Sequence, residues 1–219
     1  MELSAKTEMP PADGASVDDR VVDFYFDFIS PFGFFASLRI DALAARYGYR
    51  TCWNPMLIGV SVIKVMGMKP LLETPLKGPY IIRDGNRYAR REHINLGRQM
   101  DAPMVDPRPA GRAYSWIRRH LPGQAKKFAQ QVFAAYWLQG LDISKESTLD
   151  GILAALGLAT PEVLAGIKTV EASDLLRGNV ESSLACGVFG SPFFIVNGEP
   201  FFGVEKMELL EDWLATGGW

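Results

Sequence analysis

The stretch from Val21 to Phe35, VVDFYFDFISPFGFF, constrains the fold of this chain more than any other segment. Its first half is rich in Val, Phe, Tyr and Ile, which favour a buried strand. Ser30 is a preferred helix N-cap, and Pro31 suits the first helical position, where no backbone N–H is needed. We therefore expect a strand that runs directly into a helix over about 31–47. The N-terminus of such a helix can hold an anion or lower the pKa of a thiol placed there.

A second strand is predicted shortly after this helix. Residues 49–54 have a strand-like composition and are ended by Pro55. A strand, a helix and a strand in this order form a unit whose strands should be parallel and joined by a right-handed crossover.

The middle of the chain, from Gly59 to about Cys186, has no convincing strand pattern and several helical ones. In the clearest, large apolar residues recur at three- and four-residue spacing: Phe128, Val132, Phe133, Tyr136 and Trp137. Predicted helices cover about 59–66, 80–92, 109–120, 124–139, 147–156, 161–169 and 172–186. This pattern predicts an all-helical insertion.

The sheet resumes near the C-terminus. Residues 193–197 and 200–202 flank Asn197-Gly198, a strong hairpin signal, so these strands should pair antiparallel. A final helix is predicted from Val204 to about Thr216, before two glycines.

Strand-helix-strand, a helical insertion and strand-strand-helix together give the order of a thioredoxin fold. We therefore expect an α/β chain with a thioredoxin-like fold and an all-helical insertion domain between the second and third strands. Residues 20–57 and 187–219 would form the thioredoxin-like domain, and 58–186 the inserted domain. Residues 1–19 show no periodicity and are expected to form a flexible N-terminal tail.

The net charge and the hydropathy of the sequence argue against several classes of binding partner. The formal net charge is −2, and no run of Lys or Arg is longer than pairs such as Arg90-Arg91, which argues against nucleic acid or a membrane surface. No apolar run reaches the roughly 18 residues that a spanning helix needs. The first residues lack the basic region and apolar core of a secretory signal. We expect a cytoplasmic protein.

Cysteine and histidine usage disfavours several kinds of site. Cys52 and Cys186 are the only cysteines and form no C-x-x-C, so we expect two buried thiols in a reduced compartment and no cysteine-based zinc site. His93 and His120 are the only histidines, which gives little basis for a histidine metal site or a serine-histidine triad. No metal site is predicted.

Two short motifs carry the chemistry. Ser30-Pro31-Phe32-Gly33 occupies the place where thioredoxin-like oxidoreductases keep C-x-x-C, and it contains no thiol to exchange. The Ser30 hydroxyl could instead donate a hydrogen bond to the thiolate of a cofactor, or it could serve only as a helix cap. Ser191-Pro192 precedes the hairpin strand, where a cis peptide bond in the assumed fold would expose the backbone of Ser191 to a bound peptide.

Five segments together resemble one enzyme family. They are Phe24 to Phe32, Lys77-Gly78-Pro79-Tyr80, Ala134-Ala135-Tyr136-Trp137, Gly187 to Pro192, and Phe201 to Lys206. In this order they resemble the 2-hydroxychromene-2-carboxylate isomerases, bacterial relatives of the kappa-class glutathione transferases within the thioredoxin superfamily. The resemblance covers about residues 21–216.

The resemblance implies a homodimeric, glutathione-dependent enzyme. Ser30 would lie beside the glutathione sulfur, Lys77 would meet a carboxylate of the tripeptide, and Ser191, before Pro192, would pair with its backbone. Glu205 and Lys206 match the family's residues at the γ-glutamyl end. The pocket for a small aromatic substrate would include Phe32, Met68 and Trp137.

The sequence departs from the family pattern at three places. Met68 stands where relatives often have asparagine, and a thioether cannot replace amide hydrogen bonding. Val204 replaces a serine or glutamine, and Pro109-Ala110-Gly111 stands where Pro-Asn-Thr is common. These departures bear on the affinity for glutathione and on the substrate.

Four functions remain open on these grounds. The first is glutathione-dependent isomerisation of an aromatic unsaturated keto acid in aromatic hydrocarbon catabolism. The second is a kappa-like transferase that conjugates glutathione to small electrophiles. The third is a non-catalytic module that binds glutathione or a peptide. Disulfide exchange is the least favoured, because C-x-x-C is missing.

Overall fold

A computed structural model describes residues 20–219, so the predicted tail 1–19 lies outside the described residues. The four strands are β1 (Val21–Phe26), β2 (Arg50–Pro55), β3 (Phe193–Val196) and β4 (Glu199–Phe202). They form one sheet in the order β2-β1-β3-β4. β1 pairs with β2 in parallel and β3 pairs with β4 antiparallel, as predicted, and β1 also pairs antiparallel with β3.

The helix after β1 is broken in two. α1 covers Pro31–Ser37 and α2 covers Ile40–Arg46, so the prediction of one continuous helix over 31–47 is wrong. The Ser37 hydroxyl donates to the carbonyl of Phe34 at 2.7 Å, and the Arg39 N–H bonds to the Ala36 carbonyl instead of one four residues back. These local bonds compete with the helical ladder and turn the chain.

Every regular element between β2 and β3 is helical, as predicted. The α-helices there are α3 (Lys77–Arg91), α4 (Arg108–His120), α5 (Pro122–Phe133), α6 (Glu146–Ala155), α7 (Pro161–Gly166) and α8 (Val170–Ala185). Two π-helices, Gly59–Val65 and Ala134–Leu138, and a 3-10 helix, Leu71–Glu73, complete this region. After β4 come the 3-10 helix Val204–Lys206 and α9 (Met207–Thr216).

The insertion and the sheet share one hydrophobic core. Phe26 of β1 is fully buried, and its ring lies 5.3 Å from Tyr114 of α4 and 5.6 Å from Phe133 of α5, between centroids. The Tyr114 hydroxyl donates to the backbone carbonyl of Trp53 in β2 at 2.8 Å. These contacts hold the carboxyl ends of β1 and β2 against the helical region.

The two cysteines differ from the prediction of buried thiols. Cys52 is half-buried, and burial raises the pKa of its thiol while Arg118 acts in the opposite direction. Cys186 is exposed, because it caps the C-terminal end of α8, where the helix reaches solvent.

Within residues 20–219, no helix has both the length and the apolarity needed to cross a bilayer. Over the same residues, His, Cys, Asp and Glu side chains form no group of three that could hold a metal ion.

Candidate functional site

Ser30 lies where β1 meets α1, and its side chain is almost completely buried. Its backbone is extended, with φ −83° and ψ 117°, and its Oγ accepts a hydrogen bond from the Gly33 N–H at 3.0 Å. Pro31 follows at the first helical position. Ser30 therefore caps α1, as its residue type and the following proline indicate.

The structure joins Ser30 to the loop before β3. The Ser191–Pro192 peptide bond is cis, as expected from the assumed fold. The Ser30 hydroxyl donates to the backbone carbonyl of Ser191 at 2.8 Å, across 161 positions of sequence. The Ser191 hydroxyl in turn accepts a hydrogen bond from the Asp27 N–H at 3.0 Å. Two of the sequence-predicted site residues are thus in direct contact, and Pro192 adjoins them.

Gly33 allows this close approach. A Cβ built at this position would lie 2.6 Å from the Ser191 Oγ and 3.2 Å from the Cβ of Ser30. A separation of 2.6 Å is shorter than any normal van der Waals contact, so a side chain here would push the two serines apart. Gly33 is a determinant of the site's shape, and the sequence analysis assigned it no role beyond its place in the four-residue motif.

Asp27 is a buried acid whose backbone N–H bonds to the Ser191 hydroxyl. Its side chain is 2% exposed, its Oδ1 accepts from the Ile29 N–H at 3.2 Å, and its Oδ2 accepts from the Ile58 N–H at 2.8 Å. Burial raises the pKa of this carboxyl from 3.8 to about 7, and the charge of Asp106 acts in the same direction, against the two N–H bonds. The signal for it in the sequence is an acid directly after β1, within the aromatic and aliphatic run from Phe24 to Ile29.

Asp27 connects three segments of the site. Through its own N–H it holds Ser191, through Oδ1 it holds the turn before Ser30, and through Oδ2 it holds Ile58 at the start of the π-helical segment Gly59–Val65. One side chain and its backbone therefore set the relative positions of the turn, the proline loop and that segment.

Trp137 supports the turn from the helical insertion. Its indole N–H donates to the backbone carbonyl of Phe28 at 3.0 Å, and its ring stacks on Phe34 of α1 with centroids 6.4 Å apart. It lies on the π-helix Ala134–Leu138, which continues α5, and only 3% of it is exposed. Its predicted contact with a substrate stays a prediction.

Glu205 and Lys206 lie on a turn attached to the proline loop. Both are exposed residues of the 3-10 helix Val204–Lys206, which packs against α1. The preceding residue, Gly203, donates its N–H to the carbonyl of Pro192 at 3.0 Å. The fold thus brings this turn to the same side as Ser191, while its contact with glutathione stays a prediction.

The remaining predicted residues are more exposed than Ser30. Phe32 is half-buried on α1, with its ring 6.2 Å from that of Phe35 between centroids. Met68 is 44% exposed on the connection between β2 and α3, and Lys77 is the exposed first residue of α3. Their roles toward a ligand also stay predictions.

Comparison with known proteins agrees with this architecture. The family described as the DSBA-like thioredoxin domain matches residues 21–215. The chain is 25% identical to a 2-hydroxychromene-2-carboxylate isomerase of Sphingobium xenophagum over 196 residues, which cover 89% of this chain and 98% of that relative. It is 23% identical to glutathione S-transferase kappa 1 of Caenorhabditis elegans over 215 residues, covering 88% and 90% of the two chains.

A solved structure shows the same fold. The structure of a 2-hydroxychromene-2-carboxylate isomerase matches with a TM-score of 0.74 at 24% identity, and the match covers 88% of this chain and 93% of that one. The shared order of strands and helices therefore extends over nearly the whole described chain.

Proposed function

The chain belongs to the DSBA-like thioredoxin domain family, and within it we propose a glutathione-dependent isomerase that acts on an aromatic unsaturated keto acid. The relatives named as 2-hydroxychromene-2-carboxylate isomerases support the reaction class, and the relative named as a glutathione transferase supports the cofactor. By analogy with the named isomerases, we place the protein in the catabolism of aromatic hydrocarbons, as a cytoplasmic homodimer.

The observation that carries this proposal is the contact between Ser30 and Ser191. Ser30 lies where thioredoxin-like oxidoreductases have a thiol, and its hydroxyl donates to the Ser191 carbonyl at 2.8 Å. That carbonyl is also the group to which a peptide would donate a backbone N–H. When the cysteinyl N–H of glutathione takes this acceptor, the Ser30 hydroxyl is released and can turn toward the glutathione sulfur.

A hydroxyl turned in this way would stabilise the thiolate. A hydrogen bond to a charged acceptor contributes about 1.5–3 kcal/mol, and the positive potential at the N-terminus of α1 acts in the same direction. In this proposal Lys77 meets a carboxylate of the tripeptide, and Glu205 and Lys206 hold its γ-glutamyl end. Phe32, Met68 and Trp137 contribute to the pocket for the aromatic substrate.

Bound glutathione would supply a thiolate that can add reversibly to an electrophilic carbon of the conjugated keto acid, which would allow rotation about the former double bond and return the glutathione unchanged. The protein's part would be to keep this thiol in its charged form through the Ser30 hydroxyl and to hold the keto acid beside it.

The experiment that tests this role is a titration of bound glutathione in Ser30→Ala. Loss of the thiolate hydrogen bond should raise the pKa of the bound thiol by about one to two units, if the full bond energy lies in the thiolate. The ultraviolet thiolate band should therefore appear at higher pH than in the wild type, and turnover near neutral pH should fall more than glutathione affinity.

Thr160→Ala is the matched control for this titration. Thr160 caps α7 by accepting from the Val163 N–H at 3.3 Å, so its loss removes a comparable cap without touching the junction. Both variants should lose about 0.5–2 kcal/mol of stability. If Ser30→Ala behaves like Thr160→Ala and leaves the thiolate band unmoved, Ser30 is only a cap and the catalytic role is wrong.

A specific difference in the sequence motivates an alternative function, a non-catalytic module that binds glutathione or a peptide, beside a kappa-like transferase. Met68 and Val204 replace polar residues that the resemblance places near the thiol and the γ-glutamyl group. A transferase uses the same thiolate but retains the adduct, so a stable thioether as the product would support conjugation. Glutathione binding by titration calorimetry, without turnover of any electrophile, would instead support a non-catalytic binding module.

A further inference from the structure

A cleft lies between α4, α8 and the start of the connection after β2. Its volume is about 510 Å³, and small-molecule sites commonly have about 300–1,000 Å³. Its lining consists of Leu57, Val60, Asp106, Arg108, Arg112, Ser173, Leu176, Arg177, Val180, Glu181 and Leu184. None of these residues has a role in the proposed glutathione site.

Apolar side chains form one side of this cleft. Leu176 and Val180 project from α8 and are almost completely buried, while Leu57, Val60 and Leu184 are half-buried. An apolar body placed against them would leave water, and burial contributes about 25 cal/mol per Å² of apolar surface. The cleft therefore suits a ligand with a substantial apolar part.

Three arginines line the cleft, and two of them are already paired. Arg108 forms a bidentate pair with Asp106, with its Nε 2.9 Å from Oδ1 and its Nη2 2.7 Å from Oδ2. Arg177 pairs with Asp174 of the same helix. Arg112 is different: its Nε is buried and has no hydrogen-bond partner among residues 20–219. A buried guanidinium N–H normally has an acceptor, so Arg112 lacks one that a ligand would supply.

Two other acids, Glu181 and Asp150, affect which group can accept a hydrogen bond from Arg112. Glu181 lies at the exposed rim and disfavours an anion, and Asp106 and Asp174 neutralise Arg108 and Arg177, so Arg112 is the arginine of this lining that a carboxylate would bind. Arg112 also borders a smaller cavity of about 180 Å³, where the buried Oδ1 of Asp150 has no partner either. A water molecule between Arg112 and Asp150 would satisfy both atoms, whereas the larger cleft, at about 510 Å³, has the volume for a ligand with an aromatic body.

We propose that the cleft binds a small monocarboxylic acid with an apolar body of one or two aromatic rings. The carboxylate binds the guanidinium of Arg112, and the rings pack against Leu176 and Val180. The proposal assigns no ligand contact to the two serines of the junction, so it stands whether or not the protein isomerises a keto acid.

The test is calorimetric titration of the full chain with 2-naphthoate, alongside the uncharged 2-naphthalenemethanol. The wild type should bind the acid about tenfold or more tightly than the alcohol. Arg112→Gln should weaken 2-naphthoate binding about tenfold or more, because it removes the positive charge that attracts the carboxylate. Glu181→Gln should strengthen 2-naphthoate binding, because it removes a negative charge that repels the carboxylate. Arg119→Gln, on the exposed surface of α4, and Ser30→Ala should both leave the affinity unchanged.

If Arg112→Gln folds poorly, a second variant, Leu184→Trp, tests whether the cleft binds 2-naphthoate. Leu184→Trp fills the cleft from its half-buried rim and leaves Arg112 in place, so it should abolish 2-naphthoate binding while glutathione affinity is retained. Absence of 2-naphthoate binding to the wild type, or equal binding by wild type, Arg112→Gln and Leu184→Trp, would overturn the proposal. Loss of binding in Ser30→Ala would assign the ligand to the junction instead.

Discussion

Asp27 is the residue whose burial has the clearest thermodynamic consequence. Its carboxyl is inside the protein, and its pKa is raised from 3.8 to about 7. The unfolded chain releases this proton near pH 4, whereas the folded chain retains it until about pH 7. The contribution of Asp27 to stability is therefore fully present below the unfolded pKa and is lost as the pH rises through this window.

We predict that Asp27→Asn removes this pH dependence. The free energy of unfolding of the wild type minus that of the variant should decrease between about pH 4 and pH 7. The decrease should be roughly 4 kcal/mol at most, since one pKa unit corresponds to about 1.36 kcal/mol. Urea unfolding of both proteins at several pH values measures the difference, in which the other titrating groups cancel. A difference that is constant with pH would show that Asp27 titrates normally.

Gly33 provides a geometric test of the serine junction. The Cβ of Gly33→Ala would lie 2.6 Å from the Ser191 Oγ, and moving that hydroxyl away breaks its bond with the Asp27 N–H. We expect a loss of about 1–3 kcal/mol in stability and weaker glutathione binding. Thermal unfolding and calorimetry measure the two effects.

Gly178→Ala is the control for Gly33→Ala. Gly178 lies within α8, and a Cβ there would have no other heavy atom within 4 Å. The substitution should stabilise the protein by about 0.5–1 kcal/mol, because alanine is the better helix former. If Gly33→Ala is stabilising to the same extent, the close packing around Ser191 is wrong.

The residue types in the sequence predicted the local features of this site, the helix cap and the first helical residue. They did not predict the hydrogen bonds between segments that are distant in sequence. Ser30 and Pro31 have meaning as a cap and a first helical residue in any sequence, so both could be recognised directly. The bond from Ser30 to Ser191 and the bond from Asp27 to Ile58 join positions that only the folded sheet brings together. Side-chain periodicity contains no information about such pairs.

At the scale of elements, the π-helix Ala134–Leu138 sets the position of the turn before Ser30. Its Trp137 donates to the carbonyl of Phe28, which is itself buried. We predict that Trp137→Phe costs about 1–3 kcal/mol, because a buried carbonyl loses its donor, with a further loss from the smaller ring. It should also weaken glutathione binding, since the turn loses its support from the insertion.

Tyr114→Phe separates these two effects. It likewise removes a buried donor to a backbone carbonyl, that of Trp53 at 2.8 Å, but it acts on β2 and not on the turn. Thermal unfolding should show a loss of stability in both variants, and calorimetry should show weaker glutathione binding only in Trp137→Phe. Equal glutathione affinities in the two variants would contradict a positioning role for Trp137.

Element boundaries could be predicted where the apolar period is unbroken. The residues from Phe128 to Trp137 keep one apolar face through α5 and the following π-helix, so the sequence indicated the whole segment but not its change of helix type. α3 begins at Lys77, earlier than the predicted residue 80, and its first turn has no apolar period from which this start could be predicted. The break after Ser37 depends on two local hydrogen bonds that leave no periodic signal.

At the scale of the molecule, the chain combines a thioredoxin-like sheet with a helical region that closes one side of it. We propose the division into residues 20–57 with 187–219 and the inserted residues 58–186, on the basis of where the strands end and resume. The shared core around Phe26 means that the two parts support each other at the site. The junction at Ser30 consequently depends on both.

The most direct measurement is the fate of 2-hydroxychromene-2-carboxylate with the full chain under three conditions: with glutathione, after its complete removal, and with S-methylglutathione, which has no thiol. We predict isomerisation only with glutathione, and recovery of the glutathione unchanged, because the thiolate adds and then leaves. Turnover that persists at the same rate without glutathione, or that consumes glutathione as a stable thioether, would contradict the proposed reaction.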